Sequence, residues 1–194
     1  MDMGIFQVKS NRALPAKGRI LIASPLLSDY FTRTVILMIT HNEEGSMGLV
    51  MNQSFRHHVT LNQLVPGLGA TSDIPIFKGG PVGRDTIFFI HSLETLDGAL
   101  EISDGLYLNG DFEELKEYIR QGNPVRGHIR FFAGYAGWDN GQLQEEIREN
   151  CWMVGESRRK ELLDCNPKLW KESMDSLGPQ YSIWAKYPID PSLN

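Results

Sequence analysis

The 194-residue sequence has few of the patterns that mark well-known catalytic or metal sites. It has two cysteines, Cys151 and Cys165, without the CxxC spacing of redox and zinc motifs. We therefore expect two free thiols, as in proteins of a reducing compartment. Its five histidines form no HExxH pattern and have no metal-ligand spacing. These absences predict a protein with no metal ion and no other cofactor.

Long hydrophobic runs are also missing. The strongest apolar run, residues 35–39, is far shorter than the ~20 residues that a membrane-spanning helix needs. Residues 1–5 contain Asp2, and no apolar stretch follows a basic start, so the pattern of a secretory signal is absent. We expect a cytoplasmic protein with no membrane segment.

Excess positive charge is absent as well. The chain has 19 lysines and arginines against 24 aspartates and glutamates, for a formal net charge of −5. Proteins that bind DNA directly usually present a basic patch or a helix-turn-helix motif, and we find neither here. The charge therefore disfavours a direct DNA-binding role and binding to an anionic membrane.

What the sequence does contain is typical of one folded domain over residues 1–194. The apolar fraction of 41% and the charged fraction of 22% are ordinary for a globular chain of this length. Short apolar runs bounded by turn residues predict strands. The predicted strands cover residues 19–23, 34–40, 47–51, 74–77, 86–91, 106–108 and 126–133.

Helices are predicted between these strands. Asp111 is a candidate N-cap, and Gly122 a candidate stop, for one helix. A short helix follows Thr60, another opens at residues 166–167, and a third opens at Asp139 with Gln142 in a capping-box position. The order lacks the regular βαβ rhythm of a doubly wound fold. We predict an α+β fold with a mixed or mostly antiparallel sheet.

Two glycine-rich segments are the candidates for a binding site. Residues 79–84 resemble a phosphate-binding loop only in their glycines, because the Lys-Ser/Thr pair and the following helix are missing. Residues 134–143 have glycines, an aromatic pair and a helix start. Either segment can be architecture or a ligand-contacting loop. No G-x-S-x-G elbow occurs, and we assign no catalytic residue.

Several segments resemble the motifs of the AlgH/YqgE family of bacterial proteins. They are residues 31–35, 41–52, 78–82 and 134–152, in the family's order, and the shared motifs span roughly residues 18–155. One departure is Asn52-Gln53-Ser54, where many members have Asn-Arg-Pro. Members are largely uncharacterised, and the label of transcriptional regulator comes from the association of AlgH with alginate-gene expression.

The resemblance implies a single α+β domain in which flanking helices cover a sheet curled into a pseudo-barrel. Residues 179–194 lie beyond the shared motifs, and we expect them to form an extended C-terminal arm. The resemblance brings no agreed catalytic or ligand residues with it, and fold membership alone does not establish function.

We therefore predict an indirect regulatory protein that acts through a protein partner or a small ligand. The candidate binding residues come from the three distinctive motifs: His41, Asn42, Gly79, Gly80, Pro81, Tyr135, Gly137, Trp138 and Gln142. One alternative is an enzyme that uses His41 or His91, and the other is the direct DNA-binding regulator that the acidic charge disfavours.

Overall fold

The computed structural model describes residues 8–69, 73–156 and 158–186. The strands are β1 (Ile20–Ala23), β2 (Val35–Asn42), β3 (Gly45–Val50), β4 (Ile76–Lys78), β5 (Val82–His91), β6 (Leu100–Ser103), β7 (Leu106–Leu108), β8 (Ile129–Asp139) and β9 (Trp152–Gly155). The helices are α1 (Leu61–Leu64), α2 (Phe112–Arg120), α3 (Gln142–Arg148), α4 (Arg159–Leu163), α5 (Leu169–Ser176) and α6 (Pro179–Ala185).

These strands form one sheet in the order β6-β7-β5-β8-β3-β2-β1-β9, and β4 pairs with β8 beside this path. All pairs are antiparallel except β4 with β8, which is parallel. The α+β fold with a mostly antiparallel sheet is therefore confirmed. The sheet is strongly curled, but it does not close into a barrel, because β6 and β9 remain at opposite ends of the order.

The long strand β8 joins the two halves of the sheet. Its first part pairs with β5 on one side and with β4 on the other. Its last part, from Ala136 to Asp139, pairs with β3 instead. A single strand of 11 residues therefore connects the β5 half with the β3 half.

Both faces of the sheet are covered, which explains why its strands are nearly continuous apolar runs. In β2, Val35 and Leu37 contact one core cluster, whereas Ile36 and Met38 contact another on the opposite face. In β8, Phe132 lies in the first of these clusters and Phe131 in a third. This alternation is the period of two that a pleated strand imposes.

The helices supply the layers over these faces. Helices α4, α5 and α6 add Leu162, Trp170 and Tyr181 to the cluster that contains Val35. Trp170 also donates its indole N–H to the Ala23 carbonyl at 2.8 Å. Within the described residues, no helix combines the length and the apolar character that crossing a bilayer requires.

Three helix boundaries test the capping predictions. Asp111 caps α2, since its carboxylate accepts hydrogen bonds from the Glu113 and Glu114 amides. Gln63 accepts a hydrogen bond from the Thr60 amide at the start of α1. The helix expected to open at residues 166–167 begins at Leu169, because residues 167–168 form a turn. Of the four predicted helix starts, those at Asp111 and Thr60 are thus as predicted, whereas those at residues 166–167 and at Asp139 are not.

The structure corrects two further expectations. Residues 179–185 were expected to belong to an extended arm, but they form α6, in which Pro179 occupies the first turn, where it costs no hydrogen bond. The rest of the expected arm, residues 187–194, lies outside the described residues. Residues 134–137 lie beyond the predicted strand of residues 126–133, but they continue β8 because β3 and β5 pair with them.

Candidate functional site

His41 and Asn42 lie at the end of β2, where the chain turns into β3. His41 pairs with Ser46 across the hairpin, and its ring Nδ1 lies 2.7 Å from the Ser46 hydroxyl oxygen. The side-chain oxygen of Asn42 accepts a hydrogen bond from the Glu44 amide at 2.9 Å. Asn42 therefore stabilises the reversal between the two strands.

Gly79, Gly80 and Pro81 connect β4 to β5 and lie against the main chain of β8. A Cβ on Gly80 would lie 1.9 Å from the carbonyl carbon of Tyr135. A Cβ on Gly79 would lie 2.1 Å from the carbonyl oxygen of Gly134. These glycines are required because the two main-chain segments approach too closely for any side chain between them.

Tyr135, Gly137 and Trp138 are all in β8 but differ in exposure. Trp138 is buried, and its indole N–H donates to Oε2 of Glu146 at 2.8 Å. Tyr135 is half-buried and packs edge-on against Phe88, with ring centroids 6.0 Å apart. Gly137 is exposed. The aromatic side chains of this motif thus contribute mainly to the core.

Gln142 is the first residue of α3. Its Oε1 accepts a hydrogen bond from the Asp139 amide at 3.0 Å, and its Nε2 donates to Oε1 of Glu146 at 2.9 Å. The prediction that Asp139 is the N-cap is wrong, because Asp139 ends β8 and Gly141, with φ +79°, is the N-cap. Pairing with Gly45 keeps Asp139 in the strand. Only the glutamine half of the predicted capping box is formed.

The fold brings these three motifs together on one part of the sheet. Ser46 in β3 pairs with His41 on one side and with Trp138 on the other, and the 79–81 loop packs against Tyr135. The contacts among them are main-chain approaches, local hydrogen bonds and core packing. Binding of a ligand or partner at these nine residues stays a prediction.

A cavity of about 550 Å³ lies elsewhere, beside β4. Its walls come from the segment before α1, from β4, from the start of β8 and from the turns that precede β8 and follow α4. Apolar lining side chains include Phe55, Val59, Ile74, Ile76, Val125 and Ile129. Polar lining side chains are Ser54, His57, His58, Asp73, Arg126, Arg130 and Cys165. Among the described residues that line it, none is one of the nine predicted ones.

Arg130 is the most unusual residue of this cavity, because its side chain is only 4% exposed. The guanidinium lies over the rings of both Phe77 and Phe132, 4.3 and 5.0 Å from their centroids. Nη1 donates to the Leu162 carbonyl at 2.7 Å, and Nη2 donates to the Met51 carbonyl at 2.9 Å. These contacts fix the side chain in one orientation.

The hydrogen bonding of Arg130 is incomplete. Its Nε is buried and has no hydrogen-bond partner among the described residues. Burial lowers the pKa of Arg130 to about 10, although the nearby Cys165 and Asp164 oppose this shift. The group therefore stays cationic at neutral pH. A buried cation bonded mainly to neutral carbonyls is unusual, since buried charges are normally paired.

Sequence reasoning missed Arg130 and therefore the cavity. The sequence does indicate a buried arginine, because Arg130 is the one charged residue in the otherwise apolar run of residues 129–133. A charged residue is almost never fully buried unless it has a partner. The other lining residues are spread from residue 54 to residue 165, and only the folded chain brings them together.

His91, proposed for a possible catalytic role, is fully buried. Its Nε2 lies 2.7 Å from the Asn109 carbonyl and therefore has the proton, whereas Nδ1 accepts a hydrogen bond from the Leu93 amide. Burial lowers the pKa of His91 more than these two hydrogen bonds raise it. The ring is neutral and fully bonded, so its role in the structure is to connect β5 with the two loops.

Metal binding has no candidate in the part of the chain that the structure describes. No group of three or more histidine, cysteine, aspartate or glutamate side chains lies there in an arrangement that could hold an ion. The two cysteines are both free thiols, Cys151 half-buried and Cys165 exposed. Cys165 lines the Arg130 cavity, whereas Cys151 packs beside the cluster that contains Trp138.

Sequence alignments with similar proteins extend over the whole chain. UPF0301 protein BF2109 of Bacteroides fragilis is 46% identical over 196 aligned residues, which cover 100% of this chain and 99% of that protein. A UPF0301 protein of Chlorobium limicola is 40% identical over 180 residues, 91% of this chain and 95% of that one. Both relatives therefore match this chain over nearly all of its length.

Two solved structures are also similar. Protein DIP2367 of Corynebacterium diphtheriae superposes with a TM-score of 0.73 at 23% identity over 91% of this chain and 94% of its own, which supports the fold. The AlgH protein of Pseudomonas aeruginosa superposes with a TM-score of 0.66 at 30% identity over 89% and 94%. Since the sequence model described as AlgH-like also matches residues 20–182, the chain belongs to the AlgH-like family.

Proposed function

We propose that the protein is a cytoplasmic regulatory protein that acts indirectly, by binding a small organic molecule in the Arg130 cavity. The observation that carries this proposal is the buried Arg130, whose Nε has no partner among the described residues and which lines a cavity of about 550 Å³. Sites for small ligands commonly have 300–1,000 Å³ and a mainly apolar lining with a few polar groups. The free thiols fit a reducing compartment.

The cavity can be tested by filling it. Val59 is half-buried in its wall, so Val59→Phe places a larger side chain into the space. Val82 is 42% exposed and does not line the cavity, so Val82→Phe is the matched control. A fragment library is screened by thermal shift, and fragments that raise the Tm are mapped by amide chemical shifts in NMR.

We expect fragments that perturb the amides of the lining residues and raise the Tm of the wild type and of Val82→Phe. Val59→Phe should lose this response while keeping its fold. The proposal fails if no fragment perturbs the lining residues, or if Val59→Phe and Val82→Phe respond alike.

One observation favours a second function, that of an enzyme. His41 and Ser46 are joined at 2.7 Å, which is the distance between a base and a nucleophilic hydroxyl in covalent catalysis. If Ser46 is a nucleophile, a fluorophosphonate probe should label Ser46 in the wild type and label neither His41→Ala nor Ser46→Ala. Variants at both His41 and His91 that fold and fully complement a deletion strain would remove this alternative.

A further inference from the structure

The charge of Arg130 lacks a close counter-ion. The hydrogen bonds that it makes with the described residues all go to main-chain carbonyls, including a third one from Nη1 to the Asp164 carbonyl at 3.3 Å. Among the described residues, none of the ion pairs includes it. The Asp164 carboxylate and the Cys165 thiol influence it electrostatically without forming such a pair. Arg130 therefore places a positive charge without a close counter-ion in the wall of the cavity.

The rest of the described lining adds no net formal charge. Arg126 is a second cation there, and Asp73 is the one carboxylate among the described lining residues, so the formal charges of these two side chains cancel. The whole chain has a formal net charge of −5. A cationic cavity in an acidic protein attracts anions while the remaining surface repels them.

The apolar lining excludes a simple inorganic ion as a good fit. The wall contains aromatic and branched side chains, namely Phe55, Ile74, Ile76 and Ile129. An apolar ligand would remove these side chains from water, which favours binding, whereas a small inorganic ion would not. A single buried cation balances one negative charge. Because Asp73 offsets Arg126 in formal charge, a phosphate with a charge near −2 would leave one charge uncompensated in a medium of low dielectric constant.

From this arrangement we propose that the ligand is an amphiphilic organic monoanion, a carboxylic acid with an aromatic or branched aliphatic body, whose carboxylate compensates the charge of Arg130. The body contacts the apolar wall made by residues such as Phe55 and Ile74. This inference rests on the proposed function, because it names the chemical class of the ligand for the same cavity. Carboxylates are also common partners of guanidinium groups in proteins.

The test uses probes that differ in the head group. The full-length protein at pH 7.5 is titrated with 4-phenylbutyrate, with its neutral amide 4-phenylbutyramide and with phenyl phosphate, and amide chemical shifts are recorded. We expect the acid to perturb the lining residues and to bind at least about tenfold more tightly than the amide, since only the acid brings a charge that compensates Arg130.

Each other outcome overturns a distinct statement. Equal affinity of the acid and the amide overturns the anionic ligand but leaves the cavity as the binding site. Tighter binding of phenyl phosphate overturns the choice of a carboxylate. Absence of any perturbation at the lining residues overturns both this inference and the proposed function.

Three variants distinguish the contribution of Arg130 to ligand binding from that of Arg126. Arg130→Met removes the charge but also three hydrogen bonds to carbonyls, so its folding is checked first by circular dichroism. Arg130→Lys keeps the charge, and Arg126→Gln removes the exposed cation of the lining. We expect Arg126→Gln to keep the preference for the acid over the amide and Arg130→Lys to keep part of it. Loss of this preference in Arg126→Gln alone would overturn the role of Arg130.

Discussion

Trp152 donates its indole N–H to Oε2 of Glu146 at 2.7 Å, which joins β9 to α3. The same oxygen accepts the indole N–H of Trp138 at 2.8 Å, and the two indole rings meet edge-to-face at 5.9 Å. Both tryptophans are buried, at 1% and 6% exposure. One carboxylate thus satisfies the polar groups of two large core residues.

Glu146→Ala should therefore be costly for a half-buried helix residue. We expect the free energy of unfolding to fall by about 3 kcal/mol, because each unpaired buried N–H costs about 1–3 kcal/mol. Chemical denaturation followed by tryptophan fluorescence measures this loss. Glu145→Ala is the matched control, since Glu145 is exposed and forms only a surface ion pair with Arg148, worth about 0–1 kcal/mol. Equal losses in both variants would refute the role of Glu146.

Gly80→Ala tests the close approach of the 79–81 loop to β8. The new Cβ would lie 2.1 Å from the Tyr135 carbonyl oxygen, so the main chain has to move. We expect a loss of about 3 kcal/mol, at the upper end of the usual cost of overpacking. In the control variant Gly122→Ala, the new Cβ would have no atom within 4 Å, and only the φ of +78° disfavours a side chain. We therefore expect the free energy of unfolding to fall by about 1 kcal/mol there. Thermal unfolding of both variants would show this difference, and a Gly80→Ala protein as stable as the wild type would contradict it.

Asp111→Ala removes the side-chain cap of α2. Its Oδ1 accepts hydrogen bonds from two amides of the first turn, at 2.8 and 2.9 Å. Loss of such a cap costs about 1 kcal/mol. Glu117→Ala, at an exposed position in the same helix, is expected to change stability by less than about 0.5 kcal/mol. Urea denaturation measures both, and the prediction fails if the two variants are indistinguishable.

His91 makes the stability depend on pH. Because burial lowers its pKa, the folded chain binds fewer protons than the unfolded chain just below the ordinary value of 6.5. The free energy of unfolding due to this group is therefore fully present above about pH 6.5 and decreases as the pH falls towards the folded pKa. Urea denaturation at several pH values should show a smaller decrease in His91→Gln than in the wild type. A His91→Gln protein with the same pH dependence as the wild type would contradict this role of His91.

The seven predicted strands could be found from sequence because their apolar runs are buried on both faces. Two strands were missed for different reasons. Residues 100–103 (Leu-Glu-Ile-Ser) are at the end of the sheet, and half of that short strand is exposed. Residues 152–155 follow α3 directly, and the four-residue periodicity of Leu143, Ile147 and Cys151 suggests that the helix continues. In the structure, residues 152–155 pair with β1 instead of continuing the helix.

The candidate site was less predictable than the fold. The nine chosen residues stand out in sequence because glycine and tryptophan are conspicuous, and close main-chain approach accounts for much of that pattern. The lining of the Arg130 cavity is assembled from separate segments, so no local spacing encodes it. Only Arg130 itself, an arginine within an apolar strand, left a local signal.

The pairing of β1 has a consequence for synthesis on the ribosome. Ile20 pairs with Leu37 on one side but with Gly155 on the other. During translation, β1 therefore remains half-paired until the ribosome has released more than a hundred further residues. Contacts of such long sequence separation form slowly, and an exposed strand edge invites association with other chains. In the folded chain, β9 covers that edge.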